Sequence, residues 1–474
     1  MKKSAVNKMV CLALSGSLAL SALTGCSGGN GGAASTAGTS AASAAGSGNK
    51  VETITVWTDE GGTKDIMNQL VDQFNSTTGK EKGIQIDYKV YGSDYYQMVD
   101  LAVTSGKEPE LFKSQTQALN TYTEKDEVVA LEDMPGGSEF LKRYEGMLKP
   151  MQCVFGGKTY AVPFQVNTIG LLYNKDLFKK AGIVDASGEA KAPVTWDEMR
   201  ADAKKLTNPS QKVYGVALAL KWDAYFDWEI RFPFFSTVGD DFFNNKNGKY
   251  DFSSYKPATD WLLQIKKDGS YFPGAEGLDN DTARAQFAEG RVGMKFGAVW
   301  DVGVLNDQFP AKMDWGVAAI PKAAVDSPNL QFALASTNLV IGATAKKKDL
   351  NKVMAAYEFL NSDEVLARLY QESKVIPYDT AIMKKATKKP DKKGWEMFSA
   401  LLDKSKIVTL GPTVKIEGQD YHQVLNKIWA GEVTPDSGLA DLDKRYNAAL
   451  QSGVADGSID LKVYQDTSFD PTKQ

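Results

Sequence analysis

Between Val51 and Phe112 the spacing of apolar residues changes period more than once. Thr53-Ile54-Thr55-Val56-Trp57 alternates polar with apolar, the period-two spacing of a half-buried strand. Ile66, Leu70 and Phe74 then recur every four residues, with Met67 and Val71 widening the stripe into a helix face. Alternation returns at Ile84, Ile86, Tyr88 and Val90. A strand, a helix and a second strand are therefore predicted, and their default arrangement is a parallel pair joined by a right-handed crossover. The same reading predicts a helix over 95–104 that stops at Gly106 and a short strand at Glu110-Leu111-Phe112. Much later, Leu350, Val353, Tyr357 and Leu360 mark another amphipathic helix, closing near Asn361. The class is α/β, with no convincing internal repeat.

The first fifty residues follow a different logic. Lys2, Lys3 and Lys8 precede the apolar run Met9–Leu23, which is short for a membrane-spanning helix and suits a signal peptide over residues 1–25. Leu23-Thr24-Gly25-Cys26 resembles the bacterial lipobox, which implies cleavage before Cys26 and lipidation of that cysteine. Residues 27–48 contain only Gly, Ala, Ser and Thr apart from Asn30, so 26–50 reads as a flexible tether with a reach of roughly 25–30 Å r.m.s.. The expected location is outside the cell, on the outer face of the cytoplasmic membrane.

Composition narrows the chemistry. A chain of 474 residues suggests two or three domains or lobes. Net charge is −4, and loss of the leader removes three lysines and no acid, so nothing draws the protein generally toward nucleic acid. Of three cysteines, Cys11 lies in the leader, leaving Cys26 and Cys153 and no disulfide framework. One histidine, His422, leaves little room for His-based zinc sites or Ser-His-Asp nucleophiles, and no cofactor is expected. Carboxylate-only catalysis remains open. Asn244–Asp251 is similar to a calcium loop but lacks its carboxylate spacing and terminal Glu, and a β-turn at Asn247-Gly248 is the expectation.

Four stretches carry a family resemblance. LLYNKDLFKKAGIVDASGEAKAPVTWDEMRADAKKL (Leu171–Leu206) resembles the segment after the first hinge in family 1 extracellular solute-binding proteins, the sugar-binding components of ABC importers, to which maltose-binding protein is distantly related. TSGKEPELF (Thr104–Phe112), FAEGRVGMKFGAVW (Phe287–Trp300) and WGVAAIP (Trp315–Pro321) follow the family pattern in order. One departure is Glu110, where the family usually has Asp. Some of these residues also have plain folding roles: Thr195 is a helix N-cap with Asp197 and Glu198 in the first turn, and Gly182 ends a short surface helix.

The resemblance implies a periplasmic-binding-protein-like fold of two α/β lobes, each with a central sheet, joined by hinge-crossing strands. On its template residues 51–163 and 322–375 form lobe 1, residues 167–320 and 376–459 form lobe 2, and 460–474 is a tail. Hinges are expected near Pro163–Asn167, Ile320–Lys322 and Val375–Tyr378. The implied activity is capture of a sugar or oligosaccharide by hinge closure and its delivery to the permease of an ABC importer with a cytoplasmic ATPase. The implied receptor is a lipid-anchored monomer and not an enzyme. An exported carbohydrate-active enzyme, or a surface glycan sensor or adhesin on the same fold, is the alternative.

Sugars present hydroxyls and apolar C–H faces, so their sites need hydrogen-bonding side chains and aromatic rings. Asp59 and Glu60 follow the first strand, and Gln115 follows the third. The aromatic-dense stretch Trp222–Trp228 supplies Trp222, Asp223 and Trp228. Trp300 closes GMKFGAVW, where the family resemblance puts a cleft tryptophan. Gln165 in the first hinge and Asn338 before a predicted strand at 339–342 complete the set.

Overall fold

A computed structural model describes residues 51–472 except 93, 329, 408 and 409. Cys26, the leader and the tether lie outside the described residues. The strands run in chain order as β1 (Glu52–Thr58), β2 (Ile84–Val90), β3 (Leu111–Phe112), β4 (Val128–Val129), β5 (Val154–Phe155), β6 (Lys158–Thr159), β7 (Pro163–Asn174) and β8 (Tyr214–Val216). They continue as β9 (Phe243–Asn244), β10 (Lys249–Tyr250), β11 (Val292–Ala298), β12 (Trp315–Ala318), β13 (Gln331–Thr337), β14 (Val340–Gly342) and β15 (Ser405–Ile407).

Two sheets organise two lobes. The smaller has order β2-β1-β3-β14-β4, and the larger β15-β13-β7-β11-β8 with β12 also on β7. As the alternating pattern predicts, β1 and β2 are parallel, paired from Glu52↔Ile84 to Thr58↔Val90. The helix between them, Lys64–Ser76, buries Met67, Leu70, Val71 and Phe74. The helices Tyr95–Thr104 and Leu350–Leu360 also match the expected periodicity. Glu110 is used structurally, its carboxylate accepting from Thr55 N at 2.8 Å and so tying down the centre of β1.

Strand β7 joins the lobes. Phe164 packs in the core of the smaller lobe, whereas Ile169 and Leu171 pack in that of the larger. Because its residues are buried almost throughout, it reads as a continuous apolar run and not as alternation. Gly170 is required here by close approach, since a Cβ would stand 2.7 Å from Val317 Cγ1 on the neighbouring strand. Larger-lobe capping follows the sequence: Thr195 Oγ1 accepts from Glu198 N at 3.2 Å, and Trp196 enters the core stacked on Phe234 at 3.7 Å between centroids. The Asn247-Gly248 turn joins β9 to β10, with Gly248 at φ +64°.

Three boundaries differ from the family-derived expectation, one of them at Ile382, which follows the expected last hinge yet packs in the core of the smaller lobe. Residues after Lys322 do not pass into the smaller lobe: Lys322 N donates to Val194 O at 2.9 Å, and β13 pairs with β7 and β15. The chain crosses at residues 338–339, between β13 and β14. The expected tail beyond Ile459 packs on the larger lobe, with Tyr464 buried in its core and Asp466 N donating to Asn245 O at 2.9 Å.

The three crossings lie side by side. Ser336 pairs with Gln165 on one edge of β7, and Pro377 pairs with Gln165 on the other. Val166 N donates to Ile376 O at 2.9 Å and Tyr378 N to Phe164 O at 3.0 Å, closing the second edge.

Candidate functional site

Strand direction decides which edges can form a binding face. In the smaller sheet β1, β2 and β3 are parallel, and their C-terminal ends carry Asp59, Tyr91 and Lys113. In the larger sheet β8 and β11 are parallel, and their C-terminal ends lead to Trp222 and Trp300. Since β11 is antiparallel to β7, its end at Ala298 lies beside Ile169, on the hinge side of the lobe. Loops at strand C-terminal ends beside a chain crossing are the usual ligand-binding position of open α/β sheets.

On the smaller lobe, charge dominates. Asp59 and Glu60 both converge on the ammonium of Lys113, with Asp59 Oδ1 at 3.0 Å. The Lys113 side chain is only 16% exposed. Burial works to lower its pKa, but Glu60, Tyr96 and Asp59 outweigh it and hold the lysine well above its ordinary value, fully charged. Tyr95 braces the cluster from beneath, its hydroxyl lying 2.8 Å from the carbonyls of both Trp57 and Lys113. Trp57 meets Tyr91 edge-on at 5.2 Å. Gln115 is exposed at the start of the helix Thr116–Glu124 and takes no part in the cluster.

On the larger lobe, aromatics dominate. After β8 the chain makes a 3-10 turn at Asp223–Tyr225 and a π-helical turn at Asp227–Arg231. Wide turns of this kind displace side chains from the regular helix register and are frequent at functional sites. Trp228, on that turn, meets Trp300 at 5.1 Å with planes at 80°, an edge-to-face pair in which both rings are half-buried. Trp300 is fixed by the residue after it: buried Asp301 accepts from Ala298 N at 2.8 Å and from Arg284 Nε at 2.5 Å. Trp222 stands apart, 54% exposed, with Lys221 Nζ 5.0 Å from its ring.

Three residues after Trp228, at the end of the same turn, is a buried cation. Arg231 binds Asp241 through two parallel bonds of 2.6 Å and donates to Tyr421 Oη at 2.8 Å, while Tyr421 donates to Asp227 Oδ1 at 2.8 Å. Burial works to raise the Asp227 pKa, but Arg231 and His422 outweigh it and hold it below the usual carboxylate range. Asp223 accepts from Asn426 Nδ2 at 2.7 Å. Asp223 and Asp227 therefore have separate partners. Gln165 and Asn338 are both half-buried in the crossing segments.

The structure thus brings together Asp59 with Glu60, and Trp228 with Trp300, and leaves Trp222 and Gln115 at the exposed rim. Sequence reasoning missed Lys113, Arg231 and Tyr421. Lys113 was findable, since it directly follows the third strand beside Gln115. Arg231 and Tyr421 meet only through the fold. Among the described residues no group of three or more His, Cys, Asp or Glu is placed to hold a metal ion. A surface cavity of about 480 Å³ opens elsewhere on the smaller lobe, between the helices Lys64–Ser76 and Asp363–Gln371, and none of the strand-end residues lines it.

Residues 60–367 match the family model described as bacterial extracellular solute-binding protein. The diacetylchitobiose binding protein DasA of Streptomyces coelicolor is 26% identical over 348 residues, covering 70% of this chain and 74% of DasA. The maltodextrin-binding protein MdxE of Bacillus subtilis is 25% identical over 283 residues, covering 56% of this chain and 59% of MdxE. Among solved structures, the GacH receptor of Streptomyces glaucescens superposes with a TM-score of 0.68 at 19% identity, covering 84% of this chain and 98% of that one. A solute-binding protein of Thermotoga lettingae bound with α-D-tagatose gives 0.64 at 20% identity, covering 85% of this chain and all of the other. These likenesses establish the two-lobed fold.

Proposed function

The chain belongs to the bacterial extracellular solute-binding protein family, and we propose that within it the protein is a lipid-anchored receptor for a sugar or oligosaccharide. Ligand is captured by closure of the two lobes and delivered to the permease of an ABC importer. What supports this reading is the presence of two complementary chemistries at the C-terminal strand ends of the two lobes. Half-buried Trp228 and Trp300 offer ring faces to a pyranose, and Asp59 and Glu60 offer acceptors to its hydroxyls. Named ligands of the relatives support it, diacetylchitobiose for DasA and maltodextrin for MdxE. Three adjacent crossings suit a hinge, and binding shifts an open–closed equilibrium without chemistry on the ligand.

Thermal-shift screening against mono- and oligosaccharides tests the reading, because a ligand that binds only the folded state raises its apparent stability. A panel without any shift, followed by titrations without heat, sinks it. Product analysis by mass spectrometry after incubation with the bound glycan should return it intact, and cleavage absent from a heat-denatured control would favour the carbohydrate-active enzyme. Anchoring rests on Cys26: a fatty-acid probe should label the wild type and not Cys26→Ser. Equal labelling of both defeats the anchor and leaves the ligand reading untouched. The receptor acts as a monomer.

A further inference from the structure

The cations at the two strand-end faces are occupied. On the smaller lobe, Lys113 is enclosed by the carboxylates of Asp59 and Glu60. On the larger lobe, Arg231 spends its fork on Asp241 and a further N–H on Tyr421, with Asp227 Oδ1 3.4 Å away. Arg284, behind Trp300, is taken by Asp301 and Asp281. Lys221 lies 3.3 Å from Asp279. Lys295 is buried in β11 and donates to Phe296 O at 2.8 Å. Each of the first two clusters holds two carboxylates against one permanent cation, with His422 Nε2 also 3.4 Å from Asp227, and Asp223 adds a third acid on the larger lobe.

From this arrangement we infer that the cleft is a charge filter, accepting uncharged glycans and rejecting their carboxylated or phosphorylated counterparts. The inference rests on the carbohydrate reading of the site and adds the ligand's charge to it. An anionic group entering between these walls loses water, finds no free cation among the described residues of the partly buried shell, and faces carboxylates; like-charge juxtaposition of this kind is a strong means of rejecting a wrong partner. A neutral hydroxyl meets the same carboxylates as acceptors and forms charge-assisted hydrogen bonds. Lysines without a carboxylate close by, such as Lys64 after β1 and Lys415 after β15, are exposed, where water and salt screen them. Lys113 is the control point, because it is a full charge on the cleft wall silenced by only two neighbours.

The test uses matched glycan pairs that differ in a carboxyl or phosphate: galactotriose with trigalacturonate, mannotriose with trimannuronate, and glucose with glucuronate and glucose 6-phosphate. Calorimetric titration of the wild type at fixed ionic strength should confine binding to neutral members, with any acidic counterpart at least 100-fold weaker. In Asp59→Asn/Glu60→Gln, shown to be folded by circular dichroism, the acidic counterpart of a bound neutral glycan should gain at least tenfold. Glu60→Gln alone, the milder change, should give a smaller gain in the same direction. Wild-type binding of an acidic member as tight as its neutral partner overturns the filter, including binding that disappears in Lys64→Ala or Lys415→Ala. So does a folded double variant with no gain. Absence of binding to any sugar, neutral or acidic, fails the carbohydrate reading itself, which separates the two failures.

Discussion

The two walls of the proposed cleft are made of opposite materials. The smaller lobe presents a compact ion cluster around Lys113, whose acids remain partly wet, whereas the larger lobe presents an aromatic pair and a separate ion cluster whose cation is almost dry. Arg231 and Asp241 have side chains 13% and 2% exposed, against 26% and 29% for Asp59 and Glu60. The charges of the larger lobe are thus the drier, and those of the smaller lobe the more accessible to solvent.

Removing the cation from each wall should break that comparison most visibly. Arg231→Ala strands two carboxylates in the interior and should cost about 3–5 kcal/mol in urea unfolding. Lys113→Ala leaves acids that can rehydrate and should cost about 1–2 kcal/mol. Equal losses would mean that the two clusters do the same work.

Binding should divide the other way. Trp300→Ala should weaken glycan binding by about 1–3 kcal/mol, one to two decades in affinity, with the fold retained by circular dichroism. Asp59→Asn should cost about 1 kcal/mol, because a neutral amide still offers an acceptor. Unchanged affinity in folded Trp300→Ala removes the stacking role, whereas an unfolded variant assigns Trp300 to the core.

The larger lobe should also carry a pH dependence of its own. Glu229, on the turn with Trp228, is completely enclosed and accepts from Ala219 N at 3.0 Å. Burial pushes its carboxyl from 4.5 up to about 7, against the pull of Lys295. Across that window the folded state holds a proton that the unfolded state has released, so stability falls as pH rises through it. Glu229→Gln should flatten the slope, an effect on the order of 1 kcal/mol seen in melting curves at pH 5 and pH 8. A slope that survives the substitution assigns it to other groups. Least affected is Gln115→Ala at the exposed rim, expected within about 0.5 kcal/mol of wild-type affinity and stability.

What was legible in the chain follows from the range of the forces involved. β1, the helix Lys64–Ser76 and β2 could be read because each buries one face with a local period, and a period needs no partner to be seen. β13 could not: its sequence QFALAST has little alternation, and its place is set by pairing with β7 and β15, far away in the chain. That is why the family pattern puts the second crossing near Ile320–Lys322, whereas it lies after Thr337. The site divides similarly. Asp59, Glu60 and Trp300 were visible as polar or aromatic residues immediately after strands. Pairing of Trp300 with Trp228, and of Arg231 with Tyr421 from a helix near the C-terminus, exists only in three dimensions.

The three adjacent crossings carry a consequence for the cost of recognition. Lobes joined by a single slack linker explore many mutual orientations, and a ligand that fixes one of them works against all that lost freedom. Here β7 is hydrogen-bonded along both edges at Gln165, so the lobes are confined to swings that keep the ribbon intact. For the closure proposed above, little orientational entropy would then remain to be lost. Affinity would come nearer to the intrinsic worth of the contacts made, and a small solute with few atoms to offer could still be held.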